Sequence, residues 1–243
     1  VPPQPHGRPA PMKRAFLWAV LLIGAAVIIG LMRARSRPLP PKPRTVEGGL
    51  AAIGLRVDAR WQPDFRRAGV AYPPGRALLR AFKRERRLEV WAGGASGPLV
   101  FIRSRPILGA SGREGPKVRE GDRQVPEGFY RIESLNPNSR FHLSLRVNYP
   151  NAEDRARAAT EGRDPATLGG DIMIHGGTAS VGCLAVGDPA AEDLFVLAAR
   201  TGAEAVELQI FPWDLRRFPP PENVSGNLAD LYARLKAALG EQP

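Results

Sequence analysis

The segment IMIHGGTASVGCLAV, residues 172–186, holds the only cysteine of the chain, Cys183, and one of its three histidines, His175. The two stand eight positions apart, each beside a glycine, in an otherwise apolar stretch. A thiol is a weak nucleophile until it is deprotonated, so a catalytic cysteine needs a base or a positive field close by. His175 can be that base if the chain returns on itself in a hairpin-like loop. Gly176 and Gly177 permit the sharp turn, and Gly182 lets the backbone approach a bound group. The amides of Gly182 and Cys183 are then candidate donors to one carbonyl oxygen, an oxyanion hole made of main chain. A lone cysteine in an apolar strand is more commonly a small buried residue. The spacing alone leaves both readings open.

Those residues need elements to position them, and the pattern downstream of residue 45 supplies candidates. Strand-like segments run at 88–92, 99–104, 128–133, 141–149, 171–175 and 205–211, with alternation clearest in FHLSLRVNY, 141–149. PPGRALLRAFKRERR, from residue 73, has proline at its start and Ala77, Leu78, Ala81 and Phe82 at helical spacing, which predicts a helix with KRERR (83–87) on its solvated face. PAAEDLFVLAAR, 189–200, and GNLADLYARLKAAL, 226–239, predict amphipathic helices. Residues 46–67 are ambiguous, with a short helix expected near 47–56. Consecutive strands with helices between and around them predict a mainly β body with peripheral α-helices.

Composition narrows the chemistry. One cysteine excludes an intrachain disulfide and a multi-cysteine zinc site, and Asp154, Asp164 and Asp188 form no acidic cluster with metal-ligand spacing, so no metal is expected. The net charge of +11 suggests nucleic acid at first sight, but residues 1–37 carry six of the bases and no acid. The remainder holds 29 bases against 24 acids and no basic stripe interleaved with aromatics, so nucleic acid is not an expected partner. A mildly basic body suits an anionic membrane or wall polymer better.

The N-terminal region reads separately. Residues 1–11 are proline-rich, and Met12-Lys13-Arg14 resembles the charged start of an export segment, with Met12 an alternative start. Residues 15–32 are uncharged over 18 positions, about 27 Å of helix, close to the hydrocarbon thickness of a bilayer. They predict a transmembrane anchor, followed by the stiff tether RPLPPKPR at 37–44. Basic residues after the span outnumber those before it, so charge bias leaves the orientation open.

IHG…SVGCLA resembles the signature of the YkuD-type L,D-transpeptidases, and GPKVREGDRQVPEGFYRIESLNPNSRFHLSLRVNYPNAEDR (115–155) is similar to the subgroup containing a periplasmic enzyme that detaches lipoprotein from murein. The resemblance spans about residues 70–215 and implies an L,D-transpeptidase-like β-sandwich, with no cofactor. By that match Cys183 is the nucleophile and His175 the general base. The carbonyl of Gly176 orients the imidazole, as an aspartate does in serine proteases, and Ser180 steadies the loop. His142 and Lys117 are candidates for substrate binding, each weighed against an ordinary structural or surface role. Val181, Leu184 and Ala185 stand where many members carry histidine, and arginine or asparagine. The implied organisation is a disordered N-terminus (1–14), the anchor (15–32), a tether and accessory segment (33–68), a catalytic domain (69–215), and a linker with an amphipathic helix (216–243). The implied partners are peptidoglycan stem peptides, murein lipoprotein among the candidates. The implied location is the bacterial inner membrane, single-pass, with the body in the periplasm. Transfer to an amine or to water stays open, and a non-catalytic peptidoglycan-binding module is the alternative.

Overall fold

The structure is a computed structural model that describes residues 44–221, 223–224 and 226–240. The anchor expected at 15–32 lies outside the described residues; among those described, no helix is long and apolar enough to cross a membrane.

Helix α1 (Val46–Ala68) opens the described chain. Thr45 caps its start by accepting the Gly48 amide proton, and Gly69 ends it in the left-handed conformation at φ 68°. At 23 residues the helix is more than twice the length expected from the sequence. Its buried stripe, Val57, Trp61 and Phe65 at i, i+4 and i+8, packs in the main core, and the Trp61 indole N–H donates to the Asp193 carbonyl at 3.0 Å. Tertiary burial of this stripe carries the helix past Pro63.

Nine strands follow: β1 (Arg76–Phe82), β2 (Arg87–Gly93), β3 (Val100–Pro106), β4 (Gly109–Ala110), β5 (Gly128–Asn136), β6 (Ser144–Val147), β7 (Met173–His175), β8 (Leu184–Ala185) and β9 (Val206–Phe211). They form one sheet in the order β3-β2-β1-β9-β5-β6-β7-β8-β4. β5 belongs to both halves: Gly128–Arg131 pairs with β9, whereas Ile132–Asn136 pairs with β6 beyond a register shift at Ile132/Ser134. Helices α2 (Ala152–Thr160), α3 (Asp188–Thr201) and α4 (Gly226–Gly240) complete the body. The result is sheet-centred with surrounding helices, and one apolar cluster runs from β1 and β2 through α1 and α3 to β6, β7 and β8.

Two expectations are corrected. The helix expected from residue 73 is a hairpin, β1 and β2, and KRERR is the turn between them and the start of β2. β1 lies between β2 and β9 with every residue from Ala77 to Phe82 buried, so the usual in–out alternation of a strand is missing and the apolar spacing mimics a helix. The strand expected at 141–149 shrinks to Ser144–Val147, because the chain turns before it, with His142 at φ 72°.

α3 and α4 match their periodicity. In α4, Leu231, Tyr232, Leu235 and Leu239 bury against Phe82, Phe211 and Trp213. Tyr232 also reaches through to Glu127, a fully buried carboxylate: its hydroxyl donates to Oε2 at 2.7 Å, while Lys83 Nζ (2.8 Å) and the Gly115 amide (3.0 Å) donate to Oε1. The C-terminal helix is thereby fastened to the loop that leads from β4 to β5.

Candidate active site

Topology sets where His175 and Cys183 lie. β7 and β8 are adjacent and parallel, with Ile174 opposite Leu184 and His175 opposite Ala185. Parallel neighbours ordinarily need a long crossover. Here strands of three and two residues let residues 176–183 make the return. The connection is therefore a parallel return and not the hairpin-like one expected from the sequence. Ile174 and Leu184 point together into the core. Extending the same alternation by one residue puts Cys183 on the His175 face of the sheet.

His175 is buried and held on three sides. Its Nδ1–H donates to the carbonyl of Gly176 at 2.6 Å, which leaves Nε2 unprotonated in the neutral ring and able to accept a proton. The Phe141 ring stacks on the imidazole with centroids 4.6 Å apart. The glycine turn is fastened to the start of α3, where Asp188 Oδ1 accepts the Gly177 amide proton at 2.8 Å. A side chain at Gly176 has no room: a Cβ there falls 2.4 Å from Asp188 Oδ1 and 2.7 Å from the Phe141 carbonyl.

The loop that carries Cys183 is built around two serines. Ser180 Oγ donates to the Cys183 carbonyl at 2.6 Å and accepts the Ser111 amide proton at 3.1 Å. Ser111 Oγ donates to the Arg123 carbonyl at 2.7 Å and accepts the Gly182 amide proton at 2.6 Å. Ser111 follows Ala110, which faces Leu184 across β4 and β8, so the same antiparallel register brings it level with Cys183. Gly182 adopts φ 95°, the left-handed side of the map that glycine tolerates. Its amide is already engaged by Ser111, which corrects the expectation that it is a free oxyanion donor.

The thiol is partly exposed, and its Sγ–H donates to the Asp171 carbonyl at 3.7 Å. Burial pushes its pKa above the ordinary thiol value, and the Asp171 charge adds to the rise; the Met173 amide proton and the Lys117 charge oppose it. Among the described hydrogen bonds none joins Cys183 to His175. The sulfur is thus turned to the Asp171 carbonyl and not to the imidazole.

The two candidate substrate residues are engaged elsewhere. Lys117 is buried, its ammonium donating to the Arg119 carbonyl and Asp122 Oδ1, both at 2.7 Å. Asp122 organises this loop: burial raises its carboxyl pKa, but Lys117 and the amides of Val118, Arg119 and Gln124 outweigh burial and hold it below the usual value. Lys117 therefore shapes the wall beside the thiol and acts on it through its charge. His142 Nε2 lies 3.2 Å from Glu192 Oε1, in a group with Arg56 and Arg60 that joins α1 to α3. Burial raises the Glu192 pKa, and the hydrogen bonds from Arg56, Arg60 and His142 more than reverse that. His142 anchors the segment that carries Phe141. The sequence reading passed over Ser111 and Phe141 as site residues and weighed Asp188 only as a metal ligand; the partner of Ser111 is 71 positions away, and that of Phe141 is found only by ring stacking.

A histidine on an interior strand, oriented by a carbonyl, with a lone cysteine just before the parallel neighbouring strand, has the make-up of a thiol–imidazole site. Residues 77–206 match the family model described as YkuD, the L,D-transpeptidase catalytic domain, and both His175 and Cys183 fall inside that span. The chain belongs to this family. YafK of Escherichia coli strain K12, whose own L,D-transpeptidase name is provisional, is 30% identical over 163 residues, covering 65% of this chain and 63% of that protein. The match thus spans less than two thirds of the relative's length. Among solved structures, the helical cell shape determining protein Pgp2 of Campylobacter jejuni shares 20% identity over 68% of this chain and 54% of its own, with a TM-score of 0.42. Bd1075 of Bdellovibrio bacteriovorus shares 20% over 68% of this chain and 55% of its own, with a TM-score of 0.41.

Proposed function

We propose that this chain is a cysteine-dependent acyl transferase acting on peptidoglycan stem peptides at the L,D bond of meso-diaminopimelate, with the link to murein lipoprotein among its targets. The observation that carries the reading is the Nδ1–H bond from His175 to Gly176, which leaves Nε2 as the ring nitrogen free to accept a proton, on the strand parallel to the one that Cys183 immediately precedes.

In the first step Cys183 turns from the Asp171 carbonyl toward His175, and Nε2 takes the thiol proton as sulfur attacks the peptide carbonyl. The Cys183 amide is the main-chain donor for the tetrahedral oxyanion, and one such donor lowers the barrier by about 3 kcal/mol. Collapse breaks the C–N bond, the imidazolium returns its proton to the departing amine, and a thioester remains on Cys183. An amine or water then attacks the thioester, regenerating the thiol. Burial holds the thiol pKa up, so in this proposal the sulfur gives its proton to Nε2 in the attack step. A second reading, a wall-binding module that holds the peptide without turning it over, is favoured by the thiol lying against the Asp171 carbonyl with no described hydrogen bond to His175. A periplasmic body tethered by an anchor at residues 15–32 completes the proposal.

The test is to incubate the chain with a carbapenem and weigh it. An adduct absent from Cys183→Ala supports acyl transfer. No adduct, with retained binding to sacculi and identical muropeptide profiles for both forms, favours the binding module.

A further inference from the structure

Behind the nucleophile loop, the β1–β2 turn and the segment after β4 enclose a cavity of about 220 Å³ lined by Lys83, Arg84, Arg86, Ser111, Arg113 and Glu114, among others. The charges in it are not balanced. Lys83 is neutralised and saturated, its three protons going to the carbonyls of Gly115 and Val125 and to Glu127 Oε1 at 2.8–3.0 Å. Arg84 lies over the Trp213 ring at 4.4 Å and donates through Nε to Glu114 at 2.9 Å. Arg86 and Arg113 are exposed and have no carboxylate partner among the described residues.

Both unpaired arginines stand on firmly held backbone. Arg86 adopts φ 51°, an uncommon left-handed conformation for a residue with a side chain, and its carbonyl accepts the Ile107 amide proton at 2.8 Å. The backbone of Arg113 is clamped by Gln124, whose Oε1 accepts the Arg113 amide proton at 2.9 Å. Gly112 allows that clamp, since a Cβ there falls 2.0 Å from Gln124 Oε1. Two arginines lining one polar concavity supply guanidinium forks of the kind that match the oxygen pairs of a carboxylate or phosphate.

We infer that this cavity is an anion-binding site, in which Arg86 and Arg113 take a carboxylate or phosphate group. The site does not contain the thiol and does not depend on the acyl-transfer reading. It borders the nucleophile loop through one residue, Ser111, whose Oγ holds the Gly182 amide.

Calorimetric titration of the full chain at low ionic strength tests this, using inorganic phosphate in one arm and N-acetyl-D-alanine in the other, with chloride matching the ionic strength. The expected result is saturable binding of at least one anion, weakened about tenfold or more in Arg86→Ala/Arg113→Ala and unchanged in Arg155→Ala, an exposed arginine on α2. Saturation by phosphate alone assigns a phosphoryl source, by N-acetyl-D-alanine alone a peptide C-terminus, and by both the shared anion chemistry. No saturable heat with either anion, or equal affinity in the double variant, overturns the proposal. Arg113→Glu, carrying a single exposed change, serves in place of the double variant if that one does not fold, and abolishes binding if the site is real.

Discussion

Ser111 Oγ accepts the amide proton of Gly182 at 2.6 Å, across 71 positions of sequence, and so sets the backbone immediately before the thiol. Removing the hydroxyl leaves that amide without its acceptor and unfastens Ser111 from the Arg123 carbonyl. Loss of one partner of a buried hydrogen bond costs about 1–3 kcal/mol. Ser111→Ala is expected to slow carbapenem acylation of Cys183 by about ten- to a hundredfold, with Ser111→Thr recovering part of the loss. Mass-spectrometric time courses check this; wild-type rates in Ser111→Ala remove Ser111 from the loop's positioning.

The thiol itself gives a pH prediction. Burial raises its pKa, so at neutral pH the thiolate fraction lies below that of a free cysteine. Alkylation of Cys183 by iodoacetamide, specific because it is the only thiol, is expected to climb with pH through an inflection above the ordinary thiol value. The folded chain holds this proton more tightly than the unfolded one does. The stability it contributes is complete below the unfolded thiol pKa and is lost as pH rises through the folded one. An inflection below the ordinary value would mean that the imidazole ionises the sulfur at rest.

Gly176 is hemmed in by Asp188 Oδ1 and the Phe141 carbonyl. Gly176→Ala is expected to destabilise the fold by about 1–3 kcal/mol through overpacking and to abolish acylation, because the turn that orients His175 must shift. Asp188→Ala, which removes the acceptor for the Gly177 amide, is expected to slow acylation with a smaller stability loss. Urea midpoints and adduct formation measured on the same samples separate the two effects.

Glu127 carries the largest stability prediction. It is buried without exposure and receives Lys83, the Gly115 amide and Tyr232. Glu127→Gln leaves the Lys83 ammonium buried without its counter-charge, an uncompensated charge that costs about 3–5 kcal/mol. Tyr232→Phe removes one hydrogen bond to a carboxylate and is expected to cost about 1.5–3 kcal/mol. Chemical denaturation checks both, and equal midpoints for wild type and Glu127→Gln would contradict the pairing.

His142 is expected to be dispensable for substrate binding. Its ring is directed to Glu192, so His142→Ala should leave the KM for a stem-peptide substrate unchanged while lowering the thermal midpoint modestly. A severalfold rise in KM with an unaltered midpoint restores the substrate-binding assignment.

The order of residues by itself marked Cys183 and His175 as candidates, because a chain with a single cysteine offers one thiol and the glycines around it mark a turn. Periodicity likewise revealed α3 and α4; the stripe of α4 faces a core on one side, whereas α3 is buried all round from Ala190 to Ala198. β1 escaped that logic: buried on both faces, it shows no alternation, and its spacing of Ala77, Leu78, Ala81 and Phe82 passes for a helix. Only the tertiary structure decided what surrounds the sulfur. Ser111 comes level with Cys183 through the β4–β8 register, and Phe141 reaches His175 from the turn before β6. Lys117 and His142 look from sequence like free polar side chains, yet Asp122 and Glu192 engage them. The physical reason is the same in each case: hydrogen bonds, charges and stacked rings act over a few ångströms of space. Which groups share that space is set by strand order and register, and neither is written in local spacing.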